Sequence, residues 1–332
     1  MRVLYIGGTG EISCACAARS VEVGHDVAVF NRGRRGADES PLPASVERIT
    51  GDLADEAAYR ALGRRGFDVV CQFLAYDLAA VRRDVEVFAG RCRQYVFIST
   101  ASAYEKPPRR LVVGEDVPLA NPYWAYSRAK AAAEGYLLAQ HAAGRVAVTV
   151  VRPSHTLRTR LPGGIARGED WAWRMLNGRA VIVHGDGEGL WTLTHSADFA
   201  VPFCALLGND RALGQAFHIT RHMESFTWNA ITAAAAAGLG AEPRIVHVPT
   251  DTLVRYNADW AGPLLGDKAW SVMFDNSRLM TVAGAFTCRF GLDEMMALAA
   301  EHVRRRLATY APDAALHALL DRIAEEQVAL GG

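Results

Sequence analysis

The chain has 332 residues, half of them apolar and 22% charged, enough for one large domain or two modest ones with real cores. Lys plus Arg and Asp plus Glu are equal at 36 each, so bulk charge points to no nucleic-acid or anionic-membrane partner. No apolar run reaches the roughly 18 residues of a spanning helix, and "MRVLYIGG" lacks the long apolar core of a secretory leader, so a soluble cytoplasmic protein is expected.

Residues 2–6, "RVLYI", are a continuous apolar run of β-formers, as a strand covered on both faces requires. "GGTGEIS" follows at once, then "CACAARSVEVG" as a helix closed by Gly24, then "DVAVF" at 26–30 as a second buried strand. Strand, glycine turn, helix and strand inside about 30 residues give the loop its meaning. Gly7 permits the tight turn, Gly10 permits close approach of backbone to a diphosphate, and the free N–H groups at the helix start attract that anion. Ser13 holds the third small position in place of glycine.

The second strand ends "VFNRGRRG", so Asn31 stands where an acid would accept from an adenosine ribose, followed by Arg32, Arg34 and Arg35. Fewer negative and more positive charges there favour NADP over NAD, with a solvated basic loop as the plain alternative. "RITGDLAD" (48–55) reads as a third strand running into a turn, with Asp52 placed to accept from an adenine amino group. "FDVVCQFLAY" (67–76) reads as a fourth strand, and 76–92 as a helix with an apolar stripe.

"YVFIS" makes a fifth strand, with Thr100 at its tip between Ser99 and Ser102, and Tyr126 and Lys130 open an alanine-rich helix downstream. A 3.6-residue turn stacks Tyr126 and Lys130 on one face. A phenol near pKa ~10 is a poor base at neutral pH; an adjacent ammonium and an oxidised nicotinamide are expected to bring it toward the working range.

The glycine loop, "ISTASAY" after a strand and Tyr-x-x-x-Lys opening a helix, in that order, resemble the extended short-chain dehydrogenase/reductases of the NAD-dependent epimerase/dehydratase family. The likeness runs over nearly the whole chain. It implies an α/β fold: a Rossmann-type doubly wound parallel sheet with a smaller interleaved C-terminal α/β domain that binds substrate. It implies Thr100, Tyr126 and Lys130 as catalytic residues. It implies NAD(P) contacts from Gly7, Thr9, Gly10, Glu11, Ile12, Asn31, Arg32, Asp52, Leu53, Leu74, Ala75, Ser99, Tyr126, Lys130, Pro153 and His155. By the same analogy a homodimer forms through the helices at 76–92 and 126–142. His155 is a substrate contact or proton donor, or a structural loop histidine.

Departures from the family's patterns narrow the activity. Dehydratases carry Asp-Glu after the threonine, where this chain has Ala101 and Ser102. Elimination chemistry is therefore disfavoured against epimerisation or simple reduction. "VIVHGDGEGLWTLTHSADFA" resembles the family's passage before its His-x-x-Asp turn, with His195 and Asp198 matching. Leu190 and Trp191 stand where many relatives have a diphosphate-binding arginine, which puts a nucleotide sugar in doubt. Candidate substrate residues are Tyr76, Ser102, Arg158 and Trp191, with Arg160, Arg167 and Arg278 as other anion anchors. Trp171, Trp173, Trp260 and Trp270 either line the pocket or sit in the core.

In the C-terminal region, "QAFHIT" (215–220) and "RIVHVP" (244–249) read as strands. "TWNAITAAAAAGLG" reads as a helix with a threonine N-cap and a glycine stop. Residues 293–310 and 312–330 read as amphipathic helices. The expected division is a dinucleotide-binding domain at 1–156 plus about 192–222, and a substrate domain at about 157–191 and 223–332. The six cysteines, Cys14, Cys16, Cys71, Cys92, Cys204 and Cys288, show no C-x-x-C pair and no zinc-like spacing, so free thiols and no metal site are expected. The expected function is an NAD(P)-dependent oxidoreductase or epimerase acting on a secondary alcohol or ketone of a sugar-like or cyclitol-like substrate. The rivals are a nucleotide-sugar dehydratase and a non-catalytic dinucleotide- or RNA-binding protein on the same fold.

Overall fold

Alternation along the first strand already separates two cores: Val3 and Tyr5 belong to one and Leu4 and Ile6 to the other. All four side chains are buried, because helices cover both faces of the sheet. The computed structural model describes residues 1–34, 41–166 and 168–331. Its central sheet has seven parallel strands: β1 (Arg2–Ile6), β2 (Asp26–Asn31), β3 (Glu47–Thr50), β4 (Val69–Gln72), β5 (Gln94–Ile98), β6 (Val148–Pro153) and β7 (Gln215–Ile219). Their order is β7-β6-β5-β4-β1-β2-β3. The register pairs Val3 with both Val27 and Val69, Tyr95 with Val148, and Gln215 with Thr149. The order reverses between β1 and β4, which opens a crevice at the carboxyl ends of those strands.

Helices α1 (Ser13–Glu22), α2 (Glu56–Leu62), α3 (Leu78–Phe88), α4 (Ala125–Ala142), α5 (Glu169–Leu176), α6 (Ser196–Leu206), α7 (Trp228–Leu239), α8 (Leu292–Leu307) and α9 (Ala314–Gly331) frame the rest. One face of the sheet packs Tyr5, Val29 and Ile98 with Cys16 of α1 and Phe199 and Phe203 of α6. The other packs Phe30, Val70 and Phe97 with Tyr59 of α2, Phe88 of α3 and Leu137 of α4. A third core gathers Trp171 and Met175 of α5, Trp228 and Ile231 of α7, Met295 and Val303 of α8 and Leu320 of α9. These surround the parallel pair Ala180–His184 and Arg244–Val248. Tyr104 and Val113 also join that core, so it is continuous with the connection leaving β5.

The helix signals act as expected at α7: the Thr227 side chain accepts from the Ala230 N–H, and Gly240 closes the helix at φ 61°, ψ 37°. The third strand ends at Thr50, before the turn that holds Asp52, while the fourth stops at Gln72, short of the expected residue 76. The run "VAVTVVRPSHTL" (146–157), which reads as one strand, breaks at Ser154, and residues His155–Leu157 pair instead with Leu193–His195. Trp171 is buried in the third core and Trp173 packs on His317, so these two do not line a shared pocket with Trp260 and Trp270. All six cysteines are free. Among the described residues no helix is long and apolar enough to cross a membrane.

Candidate active site

The turn after β1 is shaped by what a side chain would strike. Gly7 has φ +87°, and a Cβ there would lie 2.6 Å from Leu74 Cγ, the side chain that follows β4. Ser13 tightens the same loop: its hydroxyl donates to the Gly7 carbonyl at 2.6 Å and accepts from the Gly10 N–H at 2.8 Å. The serine therefore does more than fit the third small position; it closes the turn on itself. Beside this loop lies a cavity of about 480 Å³ lined by Gly7, Thr9, Gly10, Phe30, Asn31, Arg32, Gly33, Arg34, Gly51, Asp52, Leu53, Leu74 and Tyr76. The Asn31 side chain accepts from the Gly33 N–H at 2.7 Å and Asp52 from the Ala54 N–H at 3.0 Å, so both shape their own turns. Arg35 lies outside the described residues, as does Arg167.

Glu11 reaches away from that cavity. Its carboxylate accepts from the Arg158 N–H at 3.0 Å and the Thr159 N–H at 2.8 Å, and the Thr159 hydroxyl also donates to it. Burial works to raise the Glu11 pKa, but these bonds hold it below the usual carboxylate range. The Ser196 hydroxyl donates to the Glu11 carbonyl at 2.7 Å. The glycine loop is thus tied to segment 157–159 by side-chain contacts that spacing along the sequence does not reveal.

Thr100 lies just past β5, and Tyr126 and Lys130 occupy the first turns of α4. The Lys130 ammonium donates to the carbonyls of Ala75 at 2.6 Å and Ile98 at 2.7 Å, clamping α4 to the chain leaving β4 and β5. Burial pushes its pKa down to about 7, partly offset by the negative charges of Glu134 and Asp77. It sits 5.9 Å from the Tyr126 ring centre and 5.0 Å from that of Tyr76, which is half exposed at the mouth. The Tyr126 phenol is pushed up to about 12, first by burial and then by Tyr76, while the Thr100 hydroxyl acts as a partner that lowers it. The sequence led us to expect a phenol drawn toward neutrality. Burial dominates instead, and two of the lysine's three donors are engaged by carbonyls. Thr100 continues a hydroxyl chain, to Ser102 at 2.9 Å and from Ser102 to Ser127 at 2.7 Å. Ser127, adjacent to Tyr126, was not singled out from the sequence.

One turn further along α4, Glu134 chelates Arg152 of β6, with Nε at 3.1 and 3.0 Å and Nη2 at 2.6 Å. Arg152 also donates to the Tyr104 hydroxyl at 3.1 Å, and that hydroxyl pairs with His218 Nδ1 at 3.0 Å. Burial and the neighbouring Arg152 push His218 down to about 4, so this buried network carries a neutral imidazole.

On the far side of the crevice, Pro153 ends β6 and His155 packs its ring on Trp191 with centres 4.6 Å apart. Trp191 is only 1% exposed and stacks on Trp228 at 4.4 Å. Its faces are therefore covered by protein, so this candidate substrate residue packs as a core tryptophan. Arg278 donates to Gln215 at 3.2 and 3.1 Å on the outer edge strand. Lys106, Asn121, Trp124 and Asp267 were not singled out from the sequence. The Trp124 ring sits 5.0 Å from that of Tyr126, Asp267 acts on the phenol electrostatically, and Asn121 ties Ser102 to Gly266; their spacing along the chain carries no periodic signal.

Residues 3–220 match the NAD dependent epimerase/dehydratase family. The chain belongs to that family. It is 26% identical over 302 residues to the 2′-dehydrokanamycin reductase of Streptomyces kanamyceticus, covering 88% of this chain and 81% of that one. It is 28% identical over 258 residues to the chloroplast stem-loop binding protein of 41 kDa b of Arabidopsis thaliana, covering 74% and 65%. Its fold matches the UDP-glucuronic acid 4-epimerase of Bacillus cereus in complex with NAD, with a TM-score of 0.73 at 15% identity over 94% of this chain and 99% of that one. The family and the fold place the protein among the extended short-chain dehydrogenase/reductases, whose chemistry depends on NAD.

Proposed function

We propose that this family member is an NAD(P)-dependent oxidoreductase acting on a secondary alcohol or ketone of a sugar-like or cyclitol-like ring. Tyr126 is its acid/base group, and Thr100 and Lys130 are its partners. The observation that carries this reading is the convergence of Thr100 and Tyr126 above the Lys130 clamp, at the crevice edge beside the cavity at Gly7–Gly10. A relative matching 88% of the chain is a reductase, which supports net redox chemistry over epimerisation. Residues 1–156 with about 192–222 are proposed as the dinucleotide domain and the remainder as the substrate domain. A homodimer through α3 and α4, which pack side by side, is part of the same proposal.

The residues present fit a dinucleotide. Gly7 leaves open backbone that a Cβ would crowd against Leu74, and the adjoining cavity has adenosine-side walls from Asn31, Arg32 and Asp52. Gly7, Thr9 and Gly10 would face the diphosphate. Arg32 and Arg34, with Asn31 in place of an acid, suit a 2′-phosphate and hence NADP. When bound, the cofactor supplies or takes up hydride at the reacting carbon. Thr100 holds the reacting oxygen by a hydrogen bond. Tyr126 gives that oxygen its proton in reduction, or takes it in oxidation. Lys130 has three N–H groups and spends two on carbonyls, leaving one for the nicotinamide ribose. The charge of Lys130 and of an oxidised nicotinamide, once bound, would oppose the burial that raises the Tyr126 phenol.

Tyr126→Phe tests the reading. With a panel of sugar and cyclitol ketones, turnover followed by nicotinamide absorbance should fall roughly 10²–10⁴-fold, while cofactor affinity stays unchanged. Unchanged turnover refutes the role of Tyr126. Net consumption of reduced cofactor with the ketones, or its accumulation with the matching alcohols, supports net redox; cofactor that stays bound and is regenerated each cycle supports epimerisation. The likeness to a stem-loop binding protein motivates the second reading, RNA binding on the same fold. Tight, salt-sensitive RNA association by a turnover-inactive wild type would favour it.

A further inference from the structure

Behind Thr100, three hydroxyls follow one another into the protein. Thr100 Oγ1 lies 2.9 Å from Ser102 Oγ, which lies 2.7 Å from Ser127 Oγ on α4. Exposure falls along the chain, from 9% at Thr100 to 5% at Ser102 and 0% at Ser127. Ser102 is also held by its backbone. Its N–H donates to Thr100 Oγ1 at 3.2 Å, and its carbonyl accepts from Asn121 Nδ2 at 2.6 Å. Asn121 Nδ2 also donates to the Gly266 carbonyl at 2.6 Å, so both of its hydrogens are spent on fixing these two segments together.

Each hydroxyl carries one hydrogen, so the direction of the chain is set by the end that has no choice. That end is Ser127. A helical serine or threonine often donates back to a carbonyl one turn earlier, as Thr232 does to Trp228 at 2.7 Å. Among the described residues Ser127 closes no such bond, and Ser102 Oγ is the acceptor it reaches. Ser127 therefore donates to Ser102. Ser102 in turn donates to Thr100, because its hydrogen would otherwise be buried without an acceptor, which is costly. Thr100 Oγ1 then accepts from both the Ser102 hydroxyl and the Ser102 N–H, which fills its two lone pairs. Its own hydrogen is the one left over.

We propose that Ser127 and Ser102 are positioning residues that commit the Thr100 hydroxyl to donating into the crevice. A committed donor matches a ketone oxygen, which only accepts, and matches the negative charge that this oxygen gains on reduction. It also divides the labour. Thr100 has no lone pair to spare for a substrate alcohol, so the alcohol proton passes to Tyr126 alone. The lowering effect of Thr100 on the Tyr126 phenol has the same sense, since a donor stabilises the ionised oxygen. Ser102, a candidate substrate residue, spends its hydroxyl inside the chain. The role in turnover, though not the direction of the chain, rests on the reading of Tyr126 as the acid/base group of a ring alcohol or ketone.

Neutron diffraction from wild-type crystals soaked in heavy water reads the direction with no substrate present. The Ser127 deuteron should lie toward Ser102 Oγ and the Ser102 deuteron toward Thr100 Oγ1. A Thr100 deuteron aimed at Ser102, or a Ser127 deuteron aimed at a carbonyl of α4, overturns the proposal. Turnover of the ring alcohols and ketones reads the role. Ser127→Ala and Ser102→Ala, with cofactor affinity unchanged as the check on folding, should each lower kcat roughly three- to tenfold. In alcohol oxidation the pH of half-maximal kcat should rise by about half a unit to one unit, because the phenolate loses part of its donor. Adding Ser127→Ala to Ser102→Ala should change kcat less than about twofold, since the path to Thr100 is already cut. A pH midpoint unmoved in both single variants overturns the role, because lost packing by itself would leave it in place. The two readings fail separately. The expected deuterons beside a Tyr126→Phe variant that still turns over remove only the role of Tyr126. A reversed chain beside an inactive Tyr126→Phe removes only the commitment of Thr100.

Discussion

Lys130→Met isolates the cost of burying the ammonium that underlies the site. Folding takes the Lys130 pKa from its ordinary value of 10.5 down to about 7. Between those values the unfolded chain binds the extra proton, so stability rises with pH across the window. The penalty is fully present below about pH 7 and absent above about pH 10.5. For one such group, raising the pH from about 7.5 to about 9.5 should stabilise the wild type by roughly 2–3 kcal/mol. Lys130→Met lacks this contribution. It also loses the bonds to the Ala75 and Ile98 carbonyls, but that loss is the same at both pH values and cancels in the difference, as does the contribution of Lys106. The assay is equilibrium urea unfolding of both proteins at the two pH values, free of cofactor. A pH increment in the wild type matching that of Lys130→Met within about 0.5 kcal/mol would refute the depressed pKa. The lysine would then be fully charged at neutral pH.

Asn31→Asp should shift cofactor choice. A carboxylate at the end of β2 accepts from ribose hydroxyls and repels a 2′-phosphate, so the NADP-to-NAD affinity ratio should fall at least tenfold. Fluorescence titration with each dinucleotide measures it, and an unchanged ratio removes the preference from this loop. Glu134→Gln breaks a buried pair whose side chains are 1% and 7% exposed, leaving Arg152 uncompensated. It should cost about 3 kcal/mol in urea unfolding, and a loss under about 1 kcal/mol would show that the Tyr104 hydroxyl carries Arg152 alone.

Local rules made much of this chain legible. The buried strand runs, the glycine turn opening α1 and the caps of α7 each follow from neighbours within a few residues, where steric and hydrogen-bonding preferences act directly. The Tyr-x-x-x-Lys pair was readable for the same reason, since four residues along a helix fix two side chains on one face. Strand ends were less legible. Past Thr50 the Asp52 side chain accepts from the Ala54 N–H, and past Gln72 its own side-chain oxygen accepts from the Leu74 N–H, turns whose first residue a run of β-formers does not mark.

The sequence by itself determined the doubly wound sheet, the glycine cradle and the helix face bearing Tyr126 and Lys130, because periodicity and turn chemistry are properties of short segments. Tertiary structure alone decided the electrostatics: how deeply Lys130 and Tyr126 are desolvated, and that Trp191 is covered by Trp228 and His155. It also decided that Glu11 binds segment 158–159, 147 residues further along the chain. Burial and long-range charge depend on what the rest of the chain places nearby, and a linear pattern does not contain that information.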